Sequence, residues 1–184
     1  MGTVDLILSI AVLMCAAAAF CDLRWKKIPN VIPLFGALAG LGVNVHLGYV
    51  ASGTDGALQT VISSLAGGLL AGAVPFVLHK KGAIGGGDVK LLAALGVIGR
   101  PLIGLELEFA SLIIAAAVLV PVKLAWEGRL WATIGTAGRI MANAVRPQSK
   151  QKEVSKDRLT WFPLGPALLL GSLWVTYLRW GQTW

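Results

Sequence analysis

Charge is scarce in this chain. Of its 184 residues only 14% are Asp, Glu, Lys or Arg, against about 25% in ordinary soluble domains, so a water-soluble globule of this length is excluded. Cysteine is scarce too. Cys15 and Cys21 stand together at the end of one apolar run, which rules out a zinc ribbon or a disulfide framework. The two histidines, His46 and His79, are assigned to opposite ends of the spans read below, and so build neither a His-based zinc site nor a serine triad. The start, Met-Gly-Thr-Val-Asp, lacks the positive segment of a signal peptide. Bulky Phe20 stands where a lipobox ending at Cys21 would want a small residue, so the first apolar run reads as a retained helix. No internal repeat is evident.

Apolar residues are what the chain has instead: 56% are hydrophobic, and the mean hydropathy is +0.75. Six apolar segments follow one another, Val4–Phe20, Val31–Val50, Ala57–Leu78, Val89–Leu105, Phe109–Trp126 and Phe162–Leu178. Six crossings use roughly 120 residues and leave about 64 for loops and ends, too few for a large extramembrane domain. The expected fold is an all-α polytopic membrane protein with six transmembrane helices, a single domain over residues 1–184. The fourth segment is the weakest, because Arg100 and Pro101 interrupt it.

Charge parity supports that fourth crossing. With six spans, 14 of the 16 basic residues fall in or beside three connections of one side. These connections, about residues 21–30, 79–88 and 127–161, are the cytoplasmic loops by the positive-inside rule, which places both termini outside. Only Arg100 and Arg179 fall opposite. The net charge of +7 therefore records topology and implies no nucleic-acid partner. Trp126, Trp161, Trp180 and Trp184 sit where interfacial anchors are expected. The spacings Gly36/Gly40 and Gly68/Gly72 suit close helix packing. In the last cytoplasmic loop, Glu127–Arg146 carries Leu130, Ile134, Ala137, Met141 and Val145 on one helical face and Arg129, Arg139 and Arg146 on the other, the pattern of an interfacial amphipathic helix. Pro147–Arg158 reads as a linker. The loop orients the chain, with membrane lipids or a protein partner as a further use.

Nine acids are present. Asp5, Asp55, Glu106 and Glu108 fall at outer ends or turns, and Glu127, Glu153 and Asp157 in the polar loop. Asp22 and Asp88 remain, both at cytoplasmic ends of spans. Asp22 is either a solvated acid beside Arg24, Lys26 and Lys27 or a functional group. Near it, Pro29 disfavours helix at Ile28, and Asn30 is expected to cap the second span. Asp88 can cap its helix. Yet the preceding Gly85, Gly86 and Gly87 are costly to order and leave a backbone beside which another chain can lie close to the carboxylate. The run is neither a Walker A loop nor a dinucleotide fingerprint, since no Gly-Lys-Ser/Thr closes it and no βαβ unit surrounds it. A phosphate nest stays open, although the carboxylate would repel the anion. Taken jointly, two carboxylates on one membrane face can share a proton, one activating water and the other polarising a peptide carbonyl. Such hydrolysis needs no metal and no cofactor.

Asp22 followed by Ile28-Pro29-Asn30, then Gly85-Gly86-Gly87-Asp88-Val89-Lys90-Leu91-Leu92 and a late Phe162-Pro163-Leu164-Gly165-Pro166-Ala167, resembles the type IV prepilin peptidases, membrane aspartic proteases with a Gly-x-Gly-Asp motif. The resemblance implies an aspartic endopeptidase that cleaves the basic leader peptide from type IV pilin or pseudopilin precursors at the cytoplasmic face of a bacterial inner membrane. It makes Asp22 and Asp88 the catalytic pair and Gly85–Gly87 a place for the extended substrate. Longer members carry an insertion with paired Cys-x-x-Cys motifs and methylate the new N-terminus. This chain has no such insertion and resembles the short, peptidase-only members of tight-adherence (Flp-type) pilus systems, so N-methyltransferase activity finds no support. A Gly-x-Gly-Asp protease of other membrane substrates, and a non-enzymatic transport or assembly subunit using the two aspartates as a proton or cation site, are the alternatives. Neither the pilin nor the oligomeric state is named by the sequence.

Overall fold

Apolar segments of this kind have one way to satisfy their backbone in lipid, which is to bond it internally as helix. The computed structural model describes residues 3–82, 84–126, 128 and 164–180, and every regular element among them is helical. Three stretches, Thr3–Trp25, Val31–Lys80 and Gly86–Trp126, are long and apolar enough to cross a membrane, with hydropathies of 2.4, 2.0 and 2.2. Helix α1 is Thr3–Trp25.

The stretch Val31–Lys80 is two helices, broken at Ser52 and Gly53 into α2 (31–51) and α3 (54–80). Gly53 has φ 65°, a left-handed conformation open to glycine. In a straight helix residues 48 and 56 would stand about 12 Å apart; here a Cβ on either glycine would collide with the carbonyl of the other, so the chain doubles back.

A second reversal divides Gly86–Ile114 at Arg100, where φ is 55°, into α4 (86–99) and α5 (101–114). Gly104 packs on Gly96 across it. This corrects the expected boundary. The fourth apolar segment does not run to Leu105, because Pro101 has no N–H to continue α4 and fits the first turn of the next helix. Glu106 and Glu108, expected at outer ends or turns, lie in the first turns of α5 after the break at Arg100. Glu106 is ion-paired with Arg179 at the end of α6 (Leu164–Arg179), and Glu108 is buried.

Large apolar side chains point outward, Leu13 at 70%, Leu69 at 75% and Leu102 at 78% exposure, which suits lipid rather than water. Small and polar residues lie between helices. Gly40 packs on Ile98, Gly68 on Val97 and Gly72 on Ala93, the close approach that small-residue spacing permits. Ser64, Ser111 and Ser172 are buried.

The chain divides into two units. The helices so far belong to the first. The second, Ala115–Phe162, contains a π-helical turn, Ala115–Leu119, and a short helix, Val120–Trp126. The amphipathic helix expected over Glu127–Arg146 and the Pro147–Arg158 linker lie outside the described residues, apart from Gly128.

Candidate active site

Asp22 lies in the last turn of α1. The helix stops there because Lys26 takes a left-handed φ of 53° and donates its N–H to the Asp22 carbonyl at 2.9 Å, a left-handed cap with lysine where glycine is usual. The Asp22 side chain is turned inward, 4% exposed. Its Oδ2 accepts the N–H of Gly165 at 2.9 Å. Gly165 is in the first turn of α6, whose amides have no acceptor within their own helix. Only glycine fits, since a Cβ would stand 2.9 Å from Ala19 Cα and 3.0 Å from Asp22 Cβ.

Asp88 lies in the first turn of α4. Its Oδ2 accepts the Gly85 N–H at 3.2 Å, the backward reach of a capping box. Helix capping is thus one role of this carboxylate. The acid is partly buried and lies just beyond the apolar run that begins at Val89, as Asp22 lies just beyond the run that ends at Phe20. Burial pushes the Asp88 carboxyl up to about 6, helped by the nearby charge of Asp22 and opposed by the Gly85 amide. Asp22 is also raised, by burial, against the lowering hydrogen bond from Gly165. Residues 66 apart in sequence therefore stand within electrostatic reach at one end of the unit, brought there by α1, α4 and α6.

Gly86 and Gly87 form the start of α4, and Gly85 immediately precedes it. Gly85 is exposed, and a Cβ there would lie 2.9 Å from Asp88 Oδ2. Gly86 faces His79, and Gly87 faces Ile28 of the first loop. Of the three, Gly85 borders the carboxylate. His79 Nδ1 pairs with the Ile84 carbonyl at 2.9 Å, and His46 is exposed.

Asn30 was expected to cap α2 and does not. Its side chain makes no capping bond, because its Oδ1 accepts Lys90 Nζ at 2.9 Å and so ties the first loop to α4. Cys15 and Cys21 are free and buried. Among the described residues no three histidine, cysteine or carboxylate side chains come together to hold a metal.

Gly165 is the member of this constellation that the sequence left without a role. Its signal was a glycine between Leu164 and Pro166 at a helix start, and proline there marks a first turn. Nothing in the pattern points from residue 165 to residue 22.

Fold and site define a helical membrane protein with paired carboxylates at one rim of the bundle. The sequence profile of the type IV leader peptidase family matches residues 9–120, a segment that is more than half of the chain and contains both aspartates. The chain belongs to that family, and is a membrane-embedded peptidase by descent. No curated protein matches the chain, and no solved structure does.

Proposed function

We propose that this protein is a prepilin leader peptidase, which removes the basic leader from type IV pilin or pseudopilin precursors at the cytoplasmic face of a bacterial inner membrane. In this reading residues 1–184 form one peptidase domain with six crossings, both termini lie outside, and Asp22 and Asp88 are the catalytic pair. The observation that carries it is the convergence of these two carboxylates, one buried and one partly buried, from the ends of α1 and α4.

The chemistry is general acid–base hydrolysis. The ionised aspartate takes a proton from water as the water oxygen attacks the scissile carbonyl carbon, while the protonated aspartate gives its proton to the carbonyl oxygen. Collapse of the tetrahedral intermediate breaks the C–N bond. The leaving amine takes the proton that the first aspartate gained from water, and the second aspartate recovers a proton from a hydroxyl of the intermediate as the new carboxyl forms, so the pair again holds a single proton. The remainder of the pilin is an apolar helix that stays in the bilayer and docks from the side. Gly85–Gly87 take the extended peptide at the depth of the carboxylates, with Gly85 nearest.

Purified enzyme in detergent, incubated with one prepilin and read by N-terminal sequencing, tests this. Asp22→Asn and Asp88→Asn are each expected to slow cleavage by about 100-fold or more while the protein stays folded and inserted, since the amide keeps the shape and removes the titrating proton. Full activity in either variant rejects the pair.

A further inference from the structure

A shared proton has to be held by one member of a pair, and the two carboxylates here are held differently. Asp22 Oδ2 is buried and accepts a backbone N–H at 2.9 Å from a helix other than its own. Asp88 Oδ2 accepts a longer bond, 3.2 Å, from an exposed amide in its own helix cap. A backbone N–H can only donate, and a bond to an ionised oxygen is roughly twice as strong as one to a neutral oxygen.

We infer that Gly165, at the start of α6, is a positioning residue that keeps Asp22 the ionised, water-activating member of the pair and leaves the proton with Asp88. The inference rests on the peptidase reading above and deepens it. α6 thereby takes part in the site through a main-chain donor, and the absence of a side chain at 165 is what permits the contact. A methyl there would stand 3.1 Å from the accepting oxygen itself.

The surrounding charges leave this division intact. Among the described residues, α6 carries a single charged side chain, Arg179, at its far end against Glu106. Arg24, Lys26 and Lys27 follow Asp22 and are exposed, as are His79, Lys80 and Lys81 near the end of α3. On α4 the groups are Asp88 and Lys90, and the Lys90 ammonium is bonded to Asn30. Burial displaces both carboxyls upward, Asp88 to about 6 with the Asp22 charge adding to it, and the Gly165 bond opposes the displacement at Asp22.

The test is direct on the intact protein. With glycine labelled in 15N, the Gly165 amide is expected to titrate with Asp22 and the Gly85 amide with Asp88, Gly165 at the lower pH, and the Gly165 response is expected to vanish in Asp22→Asn. A Gly165 amide blind to pH, or one titrating above Gly85, overturns the inference. In cleavage assays Gly165→Ala should move the acid limb of the pH–rate profile upward by about 0.5–1 unit, the loss of one hydrogen bond's preference for the charged form. A slower enzyme with an unmoved profile would make Gly165 merely structural and also overturn it. The peptidase reading fails separately: if Asp22→Asn still cleaves prepilin, that reading falls whatever order the two amides show.

Discussion

A carboxyl that titrates near pH 6 in the folded protein couples stability to pH, and Asp88 is such a group. Its folded value of about 6 lies above the ordinary 3.8, so between those values the folded state holds a proton that the unfolded chain has released. The stabilisation is complete below about pH 3.8 and is lost as pH rises through 6. Asn at this position cannot titrate. The Tm of the wild type relative to Asp88→Asn is therefore expected to fall by a few degrees from about pH 4 to about pH 7, measured by thermal unfolding in detergent. A rise over that window would contradict the burial and the neighbouring charge that displace the group. At this scale the sequence displayed the acids well, because a carboxylate at the end of an apolar run is costly and stands out. It did not display what holds them. Asn30 looked like a cap and bonds Lys90 instead, and Gly165 carries no side-chain chemistry to notice.

Proline 101 creates a debt at the level of helices. In a continuous helix the Val97 carbonyl would accept the N–H of residue 101, which proline lacks, and the break at Arg100 frees the Ile98 carbonyl as well. Both lie within reach of Asn44 of α2, whose Nδ2 shares its two N–H bonds among Ile98 O at 3.0 Å, Val97 O at 3.3 Å and Ser64 Oγ of α3 at 3.1 Å. One fully buried amide thus ties three helices to each other. Removing it leaves buried carbonyls without donors, at a cost of about 1–2 kcal/mol, given about 1–3 for an orphaned group in general and about 0.6 for an average hydrogen bond between membrane helices. Asn44→Ala should lower Tm by roughly 2–8 °C. Ser64→Ala, which keeps both carbonyl bonds, should lower it by less than half as much; equal losses would show that packing, not the amide, matters. The reversal itself was half legible. Arg100 and Pro101 marked a weak segment, but Leu102, Ile103 and Leu105 kept the hydropathy high across it, so apolarity alone placed the turn several residues late. Gly53 was easier, because polar residues surround it.

For the molecule as a whole, the contacts place the first loop, the start of α4 and the start of α6 at one end, and the reversals at Gly53 and Arg100 away from it. The pairing of Asp22 with Gly165 and of Asn30 with Lys90 marks the first end, and the approach of Gly48 to Gly56 marks the other reversal. Charge distribution supports the proposed sidedness: Arg24, Lys26, Lys27, Lys80, Lys81 and Lys90 cluster at the end with the aspartates, the end the proposal places in the cytoplasm. The assignment can be checked without any assay of cleavage. In a background with Cys15→Ser and Cys21→Ser, single cysteines at exposed Lys27, Asp55 and Lys81 report which side each occupies. In right-side-out vesicles an impermeant maleimide should label Asp55→Cys and leave Lys27→Cys and Lys81→Cys unlabelled until the membrane is opened, and inverted vesicles should reverse the pattern. Equal labelling of Lys27→Cys and Asp55→Cys from one side would mean that α2 does not cross, and would contradict the proposed six-span topology. Labelling of Lys27→Cys and Lys81→Cys from outside with Asp55→Cys protected would turn the whole bundle over, leaving the geometry of Asp22, Asp88 and Gly165 intact but overturning the proposed sidedness.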